Sequence, residues 1–508
     1  MTLASLTKYR GHLFNWYDTR TLEPLPPRFI SSVDSGNLLA SLWSLEQGCR
    51  ERLHRPLLES SLLEGFGDCI QAAEELGLFS HDQFHSQDRS FATATWVQKL
   101  VSLPETIFDS ARDAAANSKD PSTASWIVQE ARSRIEAIRE TVRSYAPWYL
   151  PEFASLRENS RITLASADNK ALEALPGFVD KLDNQLAQLA CSSISSELQV
   201  LCERLRNLLP EARRNLMTLI KDLQIIATEA ARVADGMDFA FLLNRSRNLM
   251  SVGFDADSRQ LQPACYDLLG TESRTAVLVA IAKGDIPQES WFRLGRAHTL
   301  DQGQPVLLSW TGTLFEYLMP TLWMRSYSKT LLGRSRLAAV RSQQAYASHK
   351  GIPWGISESA YMKLDEAGNY QYYAFGLPHL ALRQPEIDRV VISPYSTFLA
   401  LASDPSGSIL NLQRMSDMGW CGAYGFYEAI DYGSAQHRFW ANRGQTVRCW
   451  MAHHQGMSFL ALANFLKDNV VQRWFHSERR VQATELLLQE KPVAHIRKRD
   501  LHSRMMAA

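Results

Sequence analysis

The chain has little of what marks several common classes of protein. Its 508 residues carry 54 basic and 54 acidic side chains, so the formal net charge is zero. No basic stripe is present that could neutralise phosphates, and we therefore expect no nucleic-acid partner. The seven cysteines are odd in number and form no C-x-x-C pair, which favours free thiols in a reducing compartment over a disulfide framework.

Long apolar runs and nucleotide motifs are also missing. No stretch approaches 18 uninterrupted apolar residues, and the first ten residues lack the apolar core of a signal peptide. We therefore predict a soluble, cytoplasmic chain without a membrane span. There is no P-loop, no G-x-S-x-G and no G-x-G-x-x-G, so nucleotide-dependent transfer is not expected and no cofactor is predicted.

Three blocks and a tail divide the sequence by pattern. Residues 1–55 are rich in rings and prolines, 56–235 read as long amphipathic helices, and 236–485 alternate short apolar helices with loops rich in Gly, Pro, aromatics and acids. The basic segment 486–508 is predicted to be a linker or tail. Helices in sequence with functional loops at one end suit an all-α toroid of paired helices around a central cavity.

Local signals set the expected element boundaries. A helix is predicted over 37–53, capped by Asp34 or Ser35, and a short β-hairpin over 249–254 and 260–265. The middle block carries apolar stripes that are typical of packing between helices. These stripes comprise Leu198, Leu201, Leu205 and Leu208 before a break at Pro210, and Leu216, Leu219, Leu223, Ile226 and Ala230 after it.

Two stretches in the third block place a carboxylate among aromatic rings and glycines. They are 354–361 (WGISESAY) around Glu358 and 424–432 (YGFYEAIDY) around Glu428. Aromatic faces stack on sugars, and two carboxylates are the minimum equipment for cleaving a glycosidic bond. The alternative for Glu358, on a loop or at a helix start, is a favourable interaction with a helix N-terminus. The alternative for Glu428 is a surface pair with Asp431, which would share its face on a helix.

Other polar residues amid rings are candidate sugar binders. Trp16 could be a platform with Asp18 as a hydroxyl binder, or the acid could simply pair with Arg20. Asp34 could bind sugar or only cap its helix, and Glu316 on an apolar helix needs either a partner or a role. The pair His453 and His454 lacks metal-ligand companions, so we predict no metal and favour hydrogen bonds to substrate or to a catalytic acid.

Several longer motifs resemble the central region of cyclic β-1,2-glucan synthases. They are 11–22 (GHLFNWYDTRTL), 26–38 (PPRFISSVDSGNL), 266–269 (YDLL), 282–287 (AKGDIP), 291–296 (WFRLGR), 354–361, 426–432 and 451–458. The resemblance implies a glycoamylase-like (α/α)6 barrel, with 56–235 as a helical insertion. It also implies that the glycosyltransferase and phosphorylase-like modules of such synthases are separate partners of this region.

The resemblance further implies chemistry. The expected activity is anomer-retaining transglycosylation that closes linear β-1,2-glucan into a ring, with Glu358 as acid/base and Glu428 as nucleophile. A β-1,2-glucan hydrolase and a non-catalytic glucan-binding scaffold remain the alternatives. The expected substrate-binding residues are Trp16, Tyr17, Asp18, Asp34, Glu316, Trp354, Tyr361, Phe426, Tyr427, Asp431, His453 and His454.

Overall fold

The fold is described by a computed structural model of the chain. It covers residues 2–79, 93–157, 159, 161–162, 169–301, 303–422, 424–434 and 444–491. The predicted tail therefore lies outside the described residues from 492 onward. Within the described part, no helix is both long enough and apolar enough to cross a membrane.

Most of the described chain is helical. The α-helices are α1 (Thr2–Ser5), α2 (Ser32–Leu53), α3 (Ser60–Glu75), α4 (Thr93–Val101), α5 (Glu105–Ala116), α6 (Pro121–Tyr145), α7 (Ala154–Arg157), α8 (Leu175–Ala190), α9 (Ser196–Gly236), α10 (Arg274–Lys283), α11 (Glu289–Arg293), α12 (Leu314–Leu318), α13 (Leu331–Lys350), α14 (Pro394–Leu399), α15 (Pro405–Asp417), α16 (Ala452–Leu466), α17 (Val470–Ser477) and α18 (Arg479–Thr484).

Short strands are more frequent than the sequence predicted. They are β1 (Phe29–Ser31), β2 (Leu243–Asn244), β3 (Leu249–Met250), β4 (Gly253–Asp255), β5 (Gln260–Leu261), β6 (His298–Asp301), β7 (Gln304–Leu307), β8 (Ser359–Leu364), β9 (Tyr370–Tyr373), β10 (Val391–Ile392), β11 (Cys421–Gly422), β12 (Gly425–Phe426), β13 (Ala429–Asp431) and β14 (Gln445–Val447). The predicted hairpin is present, because β4 pairs with β5 and Ser251 bridges Cys265. The other strands correct the all-α prediction: they span two to six residues, too few for a period-2 pattern to stand out.

Two compact units make up the chain. One combines Met1–Gly48 with Thr228–Ala508, and the other is Cys49–Ala227. The second unit is built from helices whose apolar faces form one core around Phe108, Ile135, Trp148 and Leu182. This unit contains none of the acid and aromatic clusters that the sequence singles out.

Helix α9 continues through Pro210, where the sequence predicted a break. A proline inside a helix removes one backbone hydrogen bond and normally kinks or ends it. Here Leu209 and Ala212 on either side of the proline are both buried, so packing on both sides holds the helix together. The buried face of α9 also differs from the predicted apolar stripe, since Leu208 is 38% exposed and Leu209 takes the buried position.

The first unit has its core around helices α10, α12, α13, α14 and α16. Eight consecutive residues of α10, from Arg274 to Ile281, are buried, so this mostly apolar helix is buried on all sides, as an interior helix should be. Helix α16 packs against α14, and α12 packs against both α13 and α14. The small sheets lie in the connections between these helices, where they hold the acidic residues discussed below.

Helix α2 starts at Ser32, five residues before the predicted start, so Asp34 and Ser35 are not caps. The amide of Asp34 donates to the Ser31 hydroxyl at 3.2 Å, so the capping hydroxyl comes from Ser31. Asp34 lies in the first helical turn instead, where a carboxylate interacts favourably with the helix N-terminus.

Candidate active site

A cavity of about 900 Å³ opens in the first unit. Its walls come from the N-terminal segment, α2, α12 and the loop before α16. Side chains along these walls include Phe14, Asn15, Trp16, Asp34, Asn37, Phe315, Met319, Trp323, Glu358, Tyr372, Met451, His453 and Met457. The lining combines aromatic rings with polar side chains that can form hydrogen bonds to hydroxyls, which suits a polyhydroxylated ligand.

Glu358 enters this cavity from the loop that immediately precedes β8. The helix start considered from the sequence is wrong, since a strand follows. The backbone here is fixed by its neighbours: Tyr395 Oη donates to the Glu358 carbonyl at 3.1 Å and contacts Ser357 Oγ at 2.8 Å. Gly355 has φ +131° and lies against Ser396, so a side chain at this position would be both strained and crowded.

The surroundings of Glu358 favour the protonated form of its carboxyl group. Burial raises its pKa to about 7, and the nearby Glu316, Asp34 and Glu428 act in the same direction. The hydroxyl of Tyr372 donates to Glu358 Oε1 at 2.8 Å and opposes this shift by stabilising the ionised form. A carboxyl group with a pKa near neutrality can act as a general acid.

Glu428 precedes β13, whose three residues are buried between β10 and β14. Its amide donates to the Cys449 carbonyl at 3.0 Å, and Ser393 Oγ donates to its carbonyl at 2.9 Å. The side chain is almost fully buried. Its carboxylate contacts His454 Nδ1 at 2.8 and 3.0 Å and accepts from the Ala360 amide at 3.3 Å.

Tyr372 and His454 connect the two acids. Tyr372 Oη lies 2.8 Å from Glu358 Oε1 and 3.2 Å from His454 Nε2, while the other ring nitrogen of His454 contacts Glu428. Tyr395 stacks on the His454 ring with a centroid separation of 3.7 Å and an interplanar angle of 8°. The structure thus joins the two stretches, 70 residues apart in sequence, through His454, for which the sequence predicted a hydrogen bond to substrate or to a catalytic acid, and through Tyr372, which the motifs did not single out.

The two acids line different cavities. Glu428 and His454 line a second space of about 310 Å³, together with Phe426 and Tyr427 from the same predicted stretch. More aromatic rings lie next to this cavity. Tyr424 packs edge-on against Trp450, and the ring centroids of Tyr427 and Trp450 are 5.3 Å apart. Sugar-stacking surface is therefore present on the Glu428 side as well as on the Glu358 side.

Four of the predicted binding residues have other contacts. Asp431 lies on strand β13 rather than on a helix, so it does not share a face with Glu428, and it pairs with Arg389 at 3.0 Å. Trp354 and Tyr361 are packed in the core, where Tyr361 Oη contacts Gln371 Oε1. Tyr17 Oη donates to the Thr7 carbonyl at 2.7 Å.

The N-terminal candidates divide in the same way. Trp16 lines the large cavity and is 63% exposed, and Asp34 lines the same cavity from α2. Asp18 is engaged locally, since its Oδ1 accepts from the Arg20 and Thr21 amides and its Oδ2 lies 3.6 Å from the Arg20 guanidinium. The two histidines also separate, with His453 at the large cavity and His454 at the smaller one.

Glu316 is the buried anchor of a capping box rather than a cavity residue. Its carboxylate accepts from the amides of Trp310, Thr311 and Thr313 and from the hydroxyls of Ser309 and Thr311. Its own amide donates to Thr313 Oγ1 at 3.2 Å. These donors satisfy the buried charge and fix the turn that leads into α12.

We predict that Glu316→Gln lowers stability by about 3 kcal/mol, because an amide NH₂ would face several donors inside the protein. The free energy of unfolding of the first unit, followed by urea titration, measures this. Glu366→Gln, on an exposed turn, serves as the matched control and should change stability by less than about 0.5 kcal/mol. Equal stability of the Glu316→Gln and wild-type proteins would contradict the capping role.

Sequence reasoning missed Tyr372, Tyr395, Tyr266 and Glu272. Burial raises the pKa of Glu272 to about 8, with Glu316 and Glu358 adding to the shift, so it belongs to the acidic surroundings of Glu358. Burial also raises the pKa of Tyr266, and the negative charges of Glu272, Asp34 and Glu358 act in the same direction. Tyr266 lies in the motif 266–269, which carries part of the family resemblance, and this motif could have pointed to it. Among the described residues, no group of three or more His, Cys, Asp or Glu side chains could hold a metal ion.

Comparison with known proteins places the acids within a matched region. Residues 267–479, which include both Glu358 and Glu428, match the Glycoamylase family model. The chain is 34% identical over 496 residues to a cyclic β-(1,2)-glucan synthase of Rhizobium meliloti. The alignment covers 96% of this chain and 16% of that protein. The resemblance indicated by the sequence motifs is thereby confirmed, and the chain corresponds to a small part of its relative's length.

Solved structures give more distant similarities. An endo-β-1,2-glucanase from Talaromyces funiculosus bound to sophorose aligns at 14% identity with a TM-score of 0.41, covering 80% of this chain and 85% of that one. A β-1,2-glucanase from Parabacteroides distasonis aligns at 11% identity with a TM-score of 0.41, covering 91% of this chain and 55% of that one.

Proposed function

We propose that the chain is a carbohydrate-active enzyme that processes β-1,2-glucan, and that it is an anomer-retaining transglycosylase that closes linear β-1,2-glucan into rings. The observation that carries the proposal is the connected pair of Glu358 and Glu428 beside an aromatic cavity. One acid has a raised pKa, and the other is held by a histidine and a backbone amide.

The proposed reaction proceeds in two steps. Glu358 gives its proton to the leaving glycosidic oxygen while a Glu428 oxygen attacks the anomeric carbon and the carbon–oxygen bond breaks. Glu358 then takes the proton of a 2-hydroxyl at the chain's own far end, and this oxygen displaces Glu428. Ring closure requires that this hydroxyl reach the intermediate before water does.

The lining residues fit this division of work. Trp16, Asp34 and His453 stand in the large cavity with Glu358, and Phe426 and Tyr427 stand in the smaller one with Glu428. We propose that glucose units occupy both cavities, so that the reacting bond lies between the two acids. Residues 1–55 and 236–485 would then form an (α/α)6 barrel, with 56–235 as a helical insertion.

Products distinguish cyclisation from hydrolysis. Incubation with linear β-1,2-glucan in H₂¹⁸O should yield rings that are one water lighter than linear chains of equal length and carry no ¹⁸O. An increase in the number of reducing ends over a control without enzyme would instead identify a hydrolase. Wild-type protein that leaves the glucan unchanged would indicate a binding or scaffold role, in which partner glycosyltransferase and phosphorylase-like modules perform the chemistry.

Trp16→Ala is expected to raise KM for linear glucan about tenfold with a smaller change in kcat, because an exposed ring at the cavity loses its contact with a sugar face. Trp126→Ala is the matched control, since Trp126 is 62% exposed but lies on α6 in the other unit. Initial rates over a range of glucan concentrations measure both variants. Equal KM values for the two variants would remove Trp16 from the binding surface.

A further inference from the structure

Among the hydrogen bonds of the described residues, only those of Tyr372 and His454 connect the two acids through side chains alone. The contacts run from Glu358 Oε1 to Tyr372 Oη, from Tyr372 Oη to His454 Nε2, and from His454 Nδ1 to Glu428. We propose that Tyr372 and His454 are positioning residues through which the two acids share protons, so that the protonation of Glu358 is coupled to the histidine that holds Glu428. This inference rests on the proposed function.

Counting protons shows why such a chain can couple the acids. Three hydrogen bonds need three protons, and Tyr372 supplies only one. In one arrangement Glu358 donates to Tyr372 Oη, Tyr372 donates to His454 Nε2, and Nδ1–H donates to the Glu428 carboxylate. In the other arrangement Tyr372 donates to the Glu358 carboxylate, while His454 is protonated on both nitrogens and donates to Tyr372 and Glu428. Both arrangements hold three protons and one net negative charge.

The two arrangements interconvert by two proton transfers, one to and one from the Tyr372 hydroxyl. The proton of Glu358 passes to Tyr372 Oη as the tyrosine's own proton passes to His454 Nε2, so no bond is left without a proton. When Glu358 has instead given its proton to the leaving oxygen, Tyr372 can turn its hydroxyl from His454 to the new carboxylate. The direction of this one hydroxyl therefore reports the protonation state of Glu358 to the histidine that holds Glu428.

The geometry favours this role over simple packing. Tyr372 is 41% exposed, yet its hydroxyl lies between the Glu358 carboxyl and the fully buried His454, so burial alone does not account for its position. His454 is fully buried, and its ring is fixed by the stack on Tyr395. The hydroxyl of Tyr395 is directed elsewhere, to Ser357 and the Glu358 carbonyl, which makes Tyr395 a natural comparison residue.

Other ionisable groups surround the pair and must stay unchanged in the test. Around Glu358 they are Asp34 on α2, Glu272 before α10, Glu316 on α12, Tyr266, Tyr395 and Glu428. Around His454 and Glu428 they are His453 and Cys449. None of the variants below alters any of these groups except the control at Tyr395.

The first test is the pH dependence of kcat/KM on linear glucan. Tyr372→Phe removes the donor that stabilises ionised Glu358, so the alkaline limb should move up by about one pH unit. His454→Leu does not touch Glu358, but it leaves the Tyr372 hydroxyl to Glu358 alone, so the limb should move down. The double variant should match Tyr372→Phe, because the histidine acts only through the tyrosine. Tyr395→Phe should leave the limb in place, whatever it does to the rate.

The second test needs no glucan. In protein labelled with ¹⁵N-histidine, the His454 signals, assigned as those missing from His454→Leu, report which ring nitrogen carries the proton. Tyr372→Phe should change their tautomer pattern at neutral pH, and Tyr395→Phe should not. An unchanged alkaline limb or unchanged His454 signals in Tyr372→Phe would each overturn the proposal. If the wild-type protein does not act on glucan, the proposed function fails, and the nitrogen signals still decide whether the shared chain exists.

Discussion

Glu428→Ala is expected to reduce turnover of linear β-1,2-glucan by about a thousandfold or more, because it removes the carboxylate that we propose forms the glucosyl intermediate. The vacated space should admit azide, which would attack the anomeric carbon directly. The expected product is an α-glucosyl azide, since a single displacement at a β-linkage inverts the configuration. Product analysis by NMR with and without azide measures both effects.

A matched variant separates loss of the nucleophile from loss of structure. Glu428→Gln keeps a side chain of the same size that can still contact His454 and the Ala360 amide, so it should fold like the wild type and remain inactive. Thermal unfolding of both variants controls for damage to β13. Azide rescue that gave a β-glucosyl azide, or turnover within tenfold of wild type, would remove Glu428 from the role of nucleophile.

The sequence predicted a helix where burial of one face gives the apolar residues a helical spacing. The apolar residues of α16 lie mainly over 457–466, but the helix begins earlier, at Ala452, because its first turn (AHHQG) faces the two cavities and carries polar residues. Pro210 shows the opposite error. A local rule predicted a break, and burial on both sides of the proline overrode it. Propensity therefore located the helices, whereas tertiary contacts decided their ends.

The site was predictable as two acids but not as one connected group. Nothing in 354–361 or 424–432 indicates that a third segment lies between them. The turn residues 365–369 (DEAGN), followed by the aromatic strand β9, were a hairpin signal that could have been used, and the β8–β9 pairing puts Tyr372 opposite Ala360. The contact of His454 with Glu428 depends on the packing of α16 on α14, which no local pattern encodes.

Two predicted binding residues illustrate why composition alone misleads. Glu316 and Asp431 are buried acids near aromatic rings, as a sugar site would require, yet one is saturated by backbone amides and the other by Arg389 and the amides of Met362 and Gly433. A buried carboxylate needs either donors or a reaction. Only the structure shows that these two have donors, whereas in the described part of the chain the Glu358 carboxyl accepts from Tyr372 alone and faces an open cavity.

Glu358→Gln is expected to lower turnover of linear glucan about a thousandfold, because the leaving sugar oxygen would depart without a proton. A β-1,2-linked disaccharide with a dinitrophenyl leaving group does not need that proton, so its first step should slow by less than about tenfold. The burst of dinitrophenolate measures this step. Comparable losses on both substrates would mean that Glu358 positions substrate rather than donating a proton.

The same residue should set the alkaline limb of the pH profile. Burial raises the pKa of Glu358 to about 7, and an acid catalyst works only when protonated, so activity on glucan should be retained below pH 7 and fall as the pH rises through about 7. With the dinitrophenyl substrate, this fall should be absent from the first step in both wild type and Glu358→Gln, because neither reaction uses the proton. A fall that persisted in Glu358→Gln would assign the limb to another group, and the raised pKa of Glu272 makes that carboxyl the one to replace next.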